Sequence, residues 1–264
     1  MILPKLNANI QFLFNEHDVL SRFKEASNFG FSAIELQSPY KFDSSHIKNI
    51  LDDFNLKMVL INVPVIDEDT GKMNLAIIPD KTDLFKHRIE KALEYAEKLD
   101  VNVVNCTPGP SNENLNFSEM YETLISNLKF ASPLFESIGV KLLIEPINTI
   151  DQPGFFINKS DQALKLIDDV DHKNLGLQYD LYHMQIMEGN LTRTIENNIE
   201  KIWHFQIADN PGRNEPGSGE INFDHMFSII DKLDYKGFIG AEYHPKTTTL
   251  EGLSWIKKYP SIKI

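Results

Sequence analysis

Short apolar segments alternate with amphipathic segments along the whole chain. The apolar segments are about four to eight residues long and rich in Val, Ile, Leu and Phe, which is typical of buried strands. Because they are apolar on both faces, we expect a parallel sheet that is covered on both sides. The eight predicted strands are Asn7–Phe12, Ala33–Leu36, Met58–Val63, Asn102–Cys106, Lys141–Glu145, Leu175–Tyr179, Ile202–Ile207 and Phe238–Glu242.

The segments between the strands have the spacing of amphipathic helices. Apolar residues recur every three or four positions in the stretches 84–99, 124–138, 160–167 and 224–233. Pro133 falls inside the second of these stretches and is expected to kink or split its helix. The predicted N-caps are Ser118, Ser160 and Asp224, and the glycines predicted to follow helix ends are Gly30, Gly139 and Gly237.

Eight strands alternating with helices predict an α/β protein, a single (β/α)8 TIM barrel domain that comprises residues 1–264. An open, doubly wound sheet has the same periodicity and is the alternative. No linker-like or low-complexity stretch divides the chain. The sequence lacks a G-x-G-x-x-G motif after the first strand, which disfavours dinucleotide binding, and it also lacks a P-loop and a G-x-S-x-G motif.

Composition excludes several classes of function. Lys and Arg number 26 against 38 Asp and Glu, so the formal net charge is −12, which disfavours a nucleic-acid partner. No apolar run approaches the roughly 20 residues of a membrane span, and the first residues lack a signal-peptide pattern. The single cysteine excludes an intramolecular disulfide framework. We expect a cytoplasmic protein with a small-molecule substrate, and a homo-oligomer is compatible with the sequence.

Oxygen-bearing side chains end each of the last four predicted strands: Glu145, Asp180, Gln206 and Glu242. Active sites of (β/α)8 enzymes lie at these C-terminal strand ends. A carboxylate there is costly unless it is paired, hydrogen-bonded or bound to a metal ion. Any one of these acids alone could cap a helix or pair with a lysine. Together they predict a site for a hard divalent cation, Mg²⁺ or Mn²⁺.

Residues in the following loops add candidate chemistry. His183 lies three residues after Asp180, within reach of a bound substrate, although an ordinary core or surface histidine is the alternative. Arg213 lies in a Gly- and Pro-rich loop and could bind a substrate carboxylate with two hydrogen bonds, or could pair with Glu215. Asp209 belongs to the turn sequence Asp-Asn-Pro-Gly and is expected to be structural. A buried, inert thiol is expected for the chain's single cysteine.

Four segments of the second half resemble the hydroxypyruvate isomerase family: LLIEPIN with PGFF, LQYDLYHMQ, FQIADNPGRNEPGSGEINF and GFIGAEYHP. The wider group is the xylose-isomerase-like superfamily of barrels, which holds sugar isomerases and epimerases and, more distantly, apurinic endonucleases. The resemblance is densest from Lys141 to Pro245 and extends more loosely to LNANIQFLFNE and GFSAIELQSPY.

This resemblance implies a divalent metal ion held by Glu145, Asp180, Gln206 and Glu242. It also implies that Glu145 and Glu242 form the catalytic acid/base pair. His183 and Arg213 match the residues that contact substrate oxygens in the family.

The sequence departs from the family at two places, and the second, in the third loop, bears on substrate identity rather than on reaction type. Asp151 stands where some relatives have a Glu six residues after the first ligand. The third loop, NVPVIDEDTGKMNLAIIP, keeps Asn62 and Pro64 but lacks the expected arginine.

The implied reaction interconverts hydroxypyruvate and 2-hydroxy-3-oxopropanoate (tartronate semialdehyde) by proton transfer through an enediolate, whose charge a metal ion would stabilise. An isomerase or epimerase of a related small sugar or 2-oxo acid, such as 2-oxo-tetronate or a keto-sugar, is the alternative. A metal-dependent endonuclease would need further ligands and a basic groove. A non-catalytic barrel would lack one of the two glutamates, and both are present.

Overall fold

Eight parallel strands close into a barrel, and their order around it is their order along the chain. The computed structural model describes residues 5–260 and 262–264. Pairing of the first strand with the last, with Asn7 opposite Gly240, closes the sheet. The strands are β1 (Lys5–Asn9), β2 (Ala33–Glu35), β3 (Lys57–Asn62), β4 (Val103–Asn105), β5 (Lys141–Ile144), β6 (Leu175–Asp180), β7 (Ile202–Ile207) and β8 (Phe238–Ala241).

The predicted (β/α)8 barrel is therefore confirmed, and the alternative of an open sheet is wrong because the sheet is closed. Helices lie between the strands, and two of them, α6 and α7, follow β6. The helices are α1 (Val19–Phe29), α2 (Ser44–Asp53), α3 (Thr82–Lys98), α4 (Phe117–Ser137), α5 (Ser160–Val170), α6 (Leu181–Met187), α7 (Leu191–Asn198), α8 (Phe223–Lys232) and α9 (Thr249–Gly252).

The helix starts differ from the prediction by one or two residues. Asn116, not Ser118, caps α4, and its side chain accepts a hydrogen bond from the backbone of Glu119 at 3.0 Å. Ser160 is the first residue of α5 rather than its cap. Asn222, not Asp224, caps α8. At α4 and α8, an asparagine two residues before the predicted cap accepts a backbone N–H group of the first turn instead. The periodicity of apolar residues does not distinguish the two positions.

The helix ends fit the prediction in part. Gly30 follows α1 with a φ of 117°, a conformation that glycine adopts without strain. Gly237 does not end α8, because Asp234 adopts the left-handed conformation there, with a φ of 58°. Helix α4 runs through Pro133 as one continuous helix, so of the predicted kink or split the split does not occur. Pro133 and Lys129, whose carbonyl loses its partner, are both exposed, and water can hydrate that carbonyl.

Apolar side chains fill both sides of the barrel wall, as expected for parallel strands. Every residue of β6 is buried, and β3 is buried over four consecutive residues. Cys106, directly after β4, is fully buried, and burial raises the pKa of its thiol to about 12. The thiol is therefore un-ionised at neutral pH. Among the helices of the described residues, none combines the length and apolar character that a bilayer crossing requires.

Candidate active site

The C-terminal ends of β5 to β8 bring the four predicted oxygen-bearing residues to one end of the barrel. Glu145 and Glu242 directly follow β5 and β8, while Asp180 and Gln206 lie within β6 and β7. The register of the strands sets Asp180 opposite Gln206. All four side chains are buried, with at most 3% of their surface exposed. Acids so placed need charge or hydrogen-bond partners, because a buried unpaired carboxylate is strongly disfavoured.

Glu145 and Asp180 converge with His183 on one point. A carboxylate oxygen of each acid and a ring nitrogen of His183 lie within 4.8 Å of one another. One Asp180 oxygen accepts the backbone N–H of Tyr182 at 2.8 Å, whereas the other, Oδ2, is buried without a hydrogen-bond partner. A free, buried carboxylate oxygen beside a second carboxylate suits a divalent cation. The residues present therefore fit the metal ion that the family resemblance implies.

The hydrogen bonds around His183 set its tautomer. The side-chain oxygen of Asn148 accepts the backbone N–H groups of Ile150 and Asp151, at 3.0 and 2.8 Å. Its amide nitrogen therefore faces Nδ1 of His183, 2.6 Å away, so Nδ1 is the acceptor and Nε2 carries the hydrogen. Burial and the nearby Arg213 hold the pKa of His183 well below its usual value. His183 is thus a neutral donor, suited to a substrate oxygen rather than to a metal ion.

Glu242 and Gln206 belong to an adjoining hydrogen-bonded group. The Gln206 amide nitrogen donates to Glu242 Oε2 and, at 2.7 Å, to Glu35 Oε2. Its amide oxygen accepts from Gln178 at 2.6 Å. Arg213 pairs with Glu242 Oε1 and lies 3.8 Å from Asp180 Oδ2, so the guanidinium joins this group to the first.

Arg213 is held between two aromatic rings over the site. Its guanidinium carbon lies 4.8 Å from the ring centre of Phe12 and 5.4 Å from that of Tyr182. It does not pair with Glu215, whose carboxylate instead accepts the backbone N–H of Lys246 at 3.0 Å. The Nε atom of Arg213 is buried and has no partner. The side chain therefore keeps a free donor for an anionic ligand.

Burial dominates the electrostatics of the carboxylates. Burial, aided by the charge of Asp180, raises the pKa of Glu145 to about 8, although Arg213 opposes the shift. Burial likewise raises the pKa of Asp180 to about 6 and that of Glu242 well above its usual value. In the metal-free protein, Glu145 and Asp180 therefore titrate close to neutral pH. Groups that titrate in this range are suited to proton transfer.

Three further polar residues hold the glutamates, and the sequence prediction omits them. Asn105 donates to Glu145 at 2.7 Å, and Asn9 donates to Glu242 at 2.8 Å. Gln37 donates to Glu242 at 3.1 Å. All three lie at or just beyond the ends of the first four strands, whereas the prediction considers the ends of the last four. The signal was present in the sequence as polar residues at those ends.

A cavity of about 630 Å³ leads to Arg213. Tyr182 lines it, and the hydroxyl of Tyr182 donates to Asp151 at 2.9 Å, so Asp151 lies at the cavity wall. Asp209 plays the structural part predicted for it, because its carboxylate accepts three backbone N–H groups of the loop that carries Arg213. The cavity is large enough for a small organic acid or sugar.

The xylose isomerase-like TIM barrel family model matches residues 23–259. This chain belongs to that family. Family members share the barrel, and their activities differ, so individual relatives carry more information about the reaction.

Two curated relatives are similar over nearly their whole length. The hydroxypyruvate isomerase of Escherichia coli (strain K12) is 43% identical over 255 residues, which cover 97% of this chain and 99% of the relative. The 2-oxo-tetronate isomerase of Cupriavidus necator is 37% identical over 257 residues, with coverage of 97% and 99%. Both names denote isomerases of small 2-oxo acids.

A solved structure from Brucella melitensis, titled AP endonuclease, family 2, superimposes with a TM-score of 0.94. It is 37% identical in sequence, and the match covers 97% of this chain and 99% of that one. The backbones of the two proteins therefore follow nearly the same path over almost their whole length.

Proposed function

We propose that this protein is an isomerase that interconverts hydroxypyruvate and 2-hydroxy-3-oxopropanoate. The observation that carries the proposal is the pair of buried glutamates, Glu145 and Glu242, at the same end of the barrel as Arg213, which pairs with Glu242. The 43% identity with an isomerase of that name supports the choice of substrate. The cavity accommodates a three-carbon acid, and Arg213 offers its carboxylate a buried cation.

The two glutamates would move the proton between neighbouring carbons. One of them, ionised, removes a proton from C3, which bears the hydroxyl group, and the substrate becomes an enediolate. A protonated glutamate then delivers a proton to C2, while the hydroxyl proton passes from O3 to O2. Burial raises the pKa of both groups, which makes each a stronger base than an exposed carboxylate.

Arg213 and His183 would orient the substrate. The unpartnered Nε of Arg213 and its guanidinium fork suit the carboxylate of hydroxypyruvate. The Nε2–H of His183 suits a carbonyl or hydroxyl oxygen, because Asn148 fixes this tautomer. Both side chains are largely buried, which excludes water from the reacting carbons.

Glu145, Asp180, Gln206 and Glu242 are the proposed ligands of a divalent ion, Mg²⁺ or Mn²⁺, and Gln206 would bind it through its amide oxygen, which accepts from Gln178 in the metal-free protein. The free Oδ2 of Asp180 supports this proposal. When bound, such an ion withdraws electron density from substrate oxygens and lowers the energy of the enediolate.

The principal alternative is an isomerase or epimerase of a related 2-oxo acid or keto-sugar. The 37% identity with a 2-oxo-tetronate isomerase favours it, because that relative matches as much of the chain. Turnover of hydroxypyruvate, 2-oxo-tetronate and simple ketoses by the same preparation separates the two. An endonuclease is disfavoured by the net charge of −12, and incubation with abasic DNA checks this directly.

We predict that Glu145→Gln and Glu242→Gln each reduce kcat by about 100-fold or more, because each removes one proton-transfer group. The fold should persist, since glutamine has nearly the same shape. Steady-state kinetics and thermal melting of the purified variants check this. Glu196→Gln on the exposed face of α7 is the matched control and should behave as wild type. Near-native turnover in either site variant would contradict the assignment.

A further inference from the structure

Glu35, at the end of β2, is a fully buried carboxylate that no step of the proposed reaction uses. Its Oε1 accepts from Asn7 at 2.6 Å and lies 3.2 Å from Nε2 of His204. Its Oε2 accepts from Gln206 at 2.7 Å and from Asn9 at 3.4 Å. Three side-chain amides therefore donate to this carboxylate, and the ring of His204 lies within hydrogen-bond distance of it.

The barrel makes room for this acid at a cost in packing. Gly240 lies beside it on β8, and a Cβ atom at this position would lie only 1.7 Å from Glu35 Oε1. The interiors of such barrels are otherwise filled by branched apolar side chains. A buried charge with its glycine replaces that packing, and buried ionic groups are weak contributors to stability. The arrangement therefore calls for a reason other than stability.

That reason lies in the two amides that touch both Glu35 and Glu242. The Asn9 nitrogen donates to Glu242 Oε2 at 2.8 Å, and the Gln206 nitrogen donates to the same oxygen. Each amide group carries two N–H bonds, and each directs one to Glu35 and one to Glu242. Glu35 accepts from both amide nitrogens, so it holds each amide with its nitrogen, rather than its oxygen, toward Glu242.

We propose that Glu35 is a positioning residue that acts on Glu242 through Asn9 and Gln206. With both amides fixed, Glu242 Oε2 is held in the barrel, and Oε1 is left facing Arg213 and the substrate. An amide at position 35 would leave a single acceptor oxygen for the amides of Asn7, Asn9 and Gln206, so Asn9 and Gln206 could rotate and release Glu242. This inference rests on the proposed function, in which Glu242 transfers a proton.

Glu35→Gln tests the proposal with little change in shape. Supporting partners of this kind typically contribute about 10- to 100-fold to activity. We expect kcat for hydroxypyruvate to fall by about that factor, while KM changes less than about threefold, because Glu35 does not touch the substrate-binding residues. A crystal structure of the variant should show the Glu242 carboxylate displaced or spread over several positions.

Asn127→Ala is the matched control for a lost buried hydrogen bond. Asn127 lies on α4, outside the strands of the barrel, and its amide nitrogen donates to the Ala76 carbonyl at 2.9 Å. This variant should lose thermal stability while keeping kcat and the position of Glu242. If Glu35→Gln lowers only the melting temperature, as the control does, the proposal is overturned. If Glu35→Gln does not fold, Asn9→Ala removes one of the two amides, and an unchanged kcat there overturns the proposal equally.

Failure of the proposed function would give a different result. Wild-type protein would then fail to turn over hydroxypyruvate, whereas the position of Glu242 in the Glu35→Gln crystal would still report on Glu35. A displaced Glu242 supports the positioning role, and an unmoved one overturns it.

Discussion

Each proposed acid/base glutamate is held by an asparagine from a neighbouring strand. Asn105 of β4 donates to Glu145 of the β5 end, and Asn9 of β1 donates to Glu242 of the β8 end. A neutral amide donor favours the ionised carboxylate, whereas burial favours the protonated one. The two effects oppose each other at both glutamates, so the pKa of each is set by a balance that a single substitution can change.

The guanidinium of Arg213 gives a second test of the active site. Arg213→Lys keeps the positive charge but loses the Nε donor and the contacts with Phe12 and Tyr182. Hydrogen bonds to charged groups contribute about 1.5–3 kcal/mol, so kcat/KM should fall by about 10- to 100-fold, mainly through KM. Steady-state kinetics measure this, with the exposed Arg193→Lys as control. Equal kcat/KM in the two variants would argue against a carboxylate clamp.

Some of these residues could be located from the sequence, and others could not. Glu145, Asp180 and Glu242 stand out because an acid ends an apolar run, and the barrel brings such ends together. Glu35 ends a strand of only three residues, where periodicity carries little information. The tautomer of His183 depends on Asn148, which is 35 positions away along the chain, so no local pattern reveals it.

Strand register explains why the acids meet at one height in the barrel. Asp180 of β6 lies opposite Gln206 of β7, and Gln206 lies opposite Gly240 of β8. Parallel strands in register align the ends of all three. The consequence is a concentration of buried carboxyl groups that titrate together unless a cation neutralises them.

This concentration predicts how the stability of the metal-free protein depends on pH. Glu145 has a pKa of about 8 in the folded protein and an ordinary value near 4.5 when unfolded. Between these values the folded state binds the extra proton, so stability should fall as pH rises from about 5 to 8. Melting temperatures in the presence of a chelator measure this. Glu145→Gln, which lacks this titration, should show a shallower slope.

Added Mg²⁺ or Mn²⁺ should raise the melting temperature more at pH 8 than at pH 5.5, because ligands must lose their protons to bind. The same stabilisation at both pH values would argue against a carboxylate metal site.

Substitutions at two strand glycines can distinguish an effect of Glu35 on catalysis from an effect of packing on stability. A Cβ at Gly240 would meet Glu35 Oε1 at 1.7 Å, and a Cβ at Gly176 would meet the Trp203 ring at 2.3 Å. Alanine at either position should cost about 1–3 kcal/mol in the free energy of unfolding. Only Gly240→Ala should also lower kcat, since Gly176 packs away from the site. Urea unfolding and kinetics measure both, and equal kcat values would contradict this view.

Acidic residues outnumber basic residues in the molecule as a whole, 38 to 26, but few of the acids are buried. Four of the buried acids, Glu35, Glu145, Asp180 and Glu242, lie at or beside the active site. The chain as a whole has a formal net charge of −12, which would repel an anionic substrate at long range. Binding must therefore rely on local contacts, and Arg213 is the cation placed to provide them.

The rate at which the Cys106 thiol is labelled reports on opening of the barrel. The thiol is fully buried and un-ionised in the folded state, and it is the chain's single cysteine. A thiol reagent at pH 8 can react only after β4 and its neighbours separate, since the exposed thiol then regains an ordinary pKa. The labelling rate should rise with urea and fall when Mg²⁺ or Mn²⁺ is added. Rapid labelling of the native protein, independent of both, would show that the barrel wall opens locally at β4.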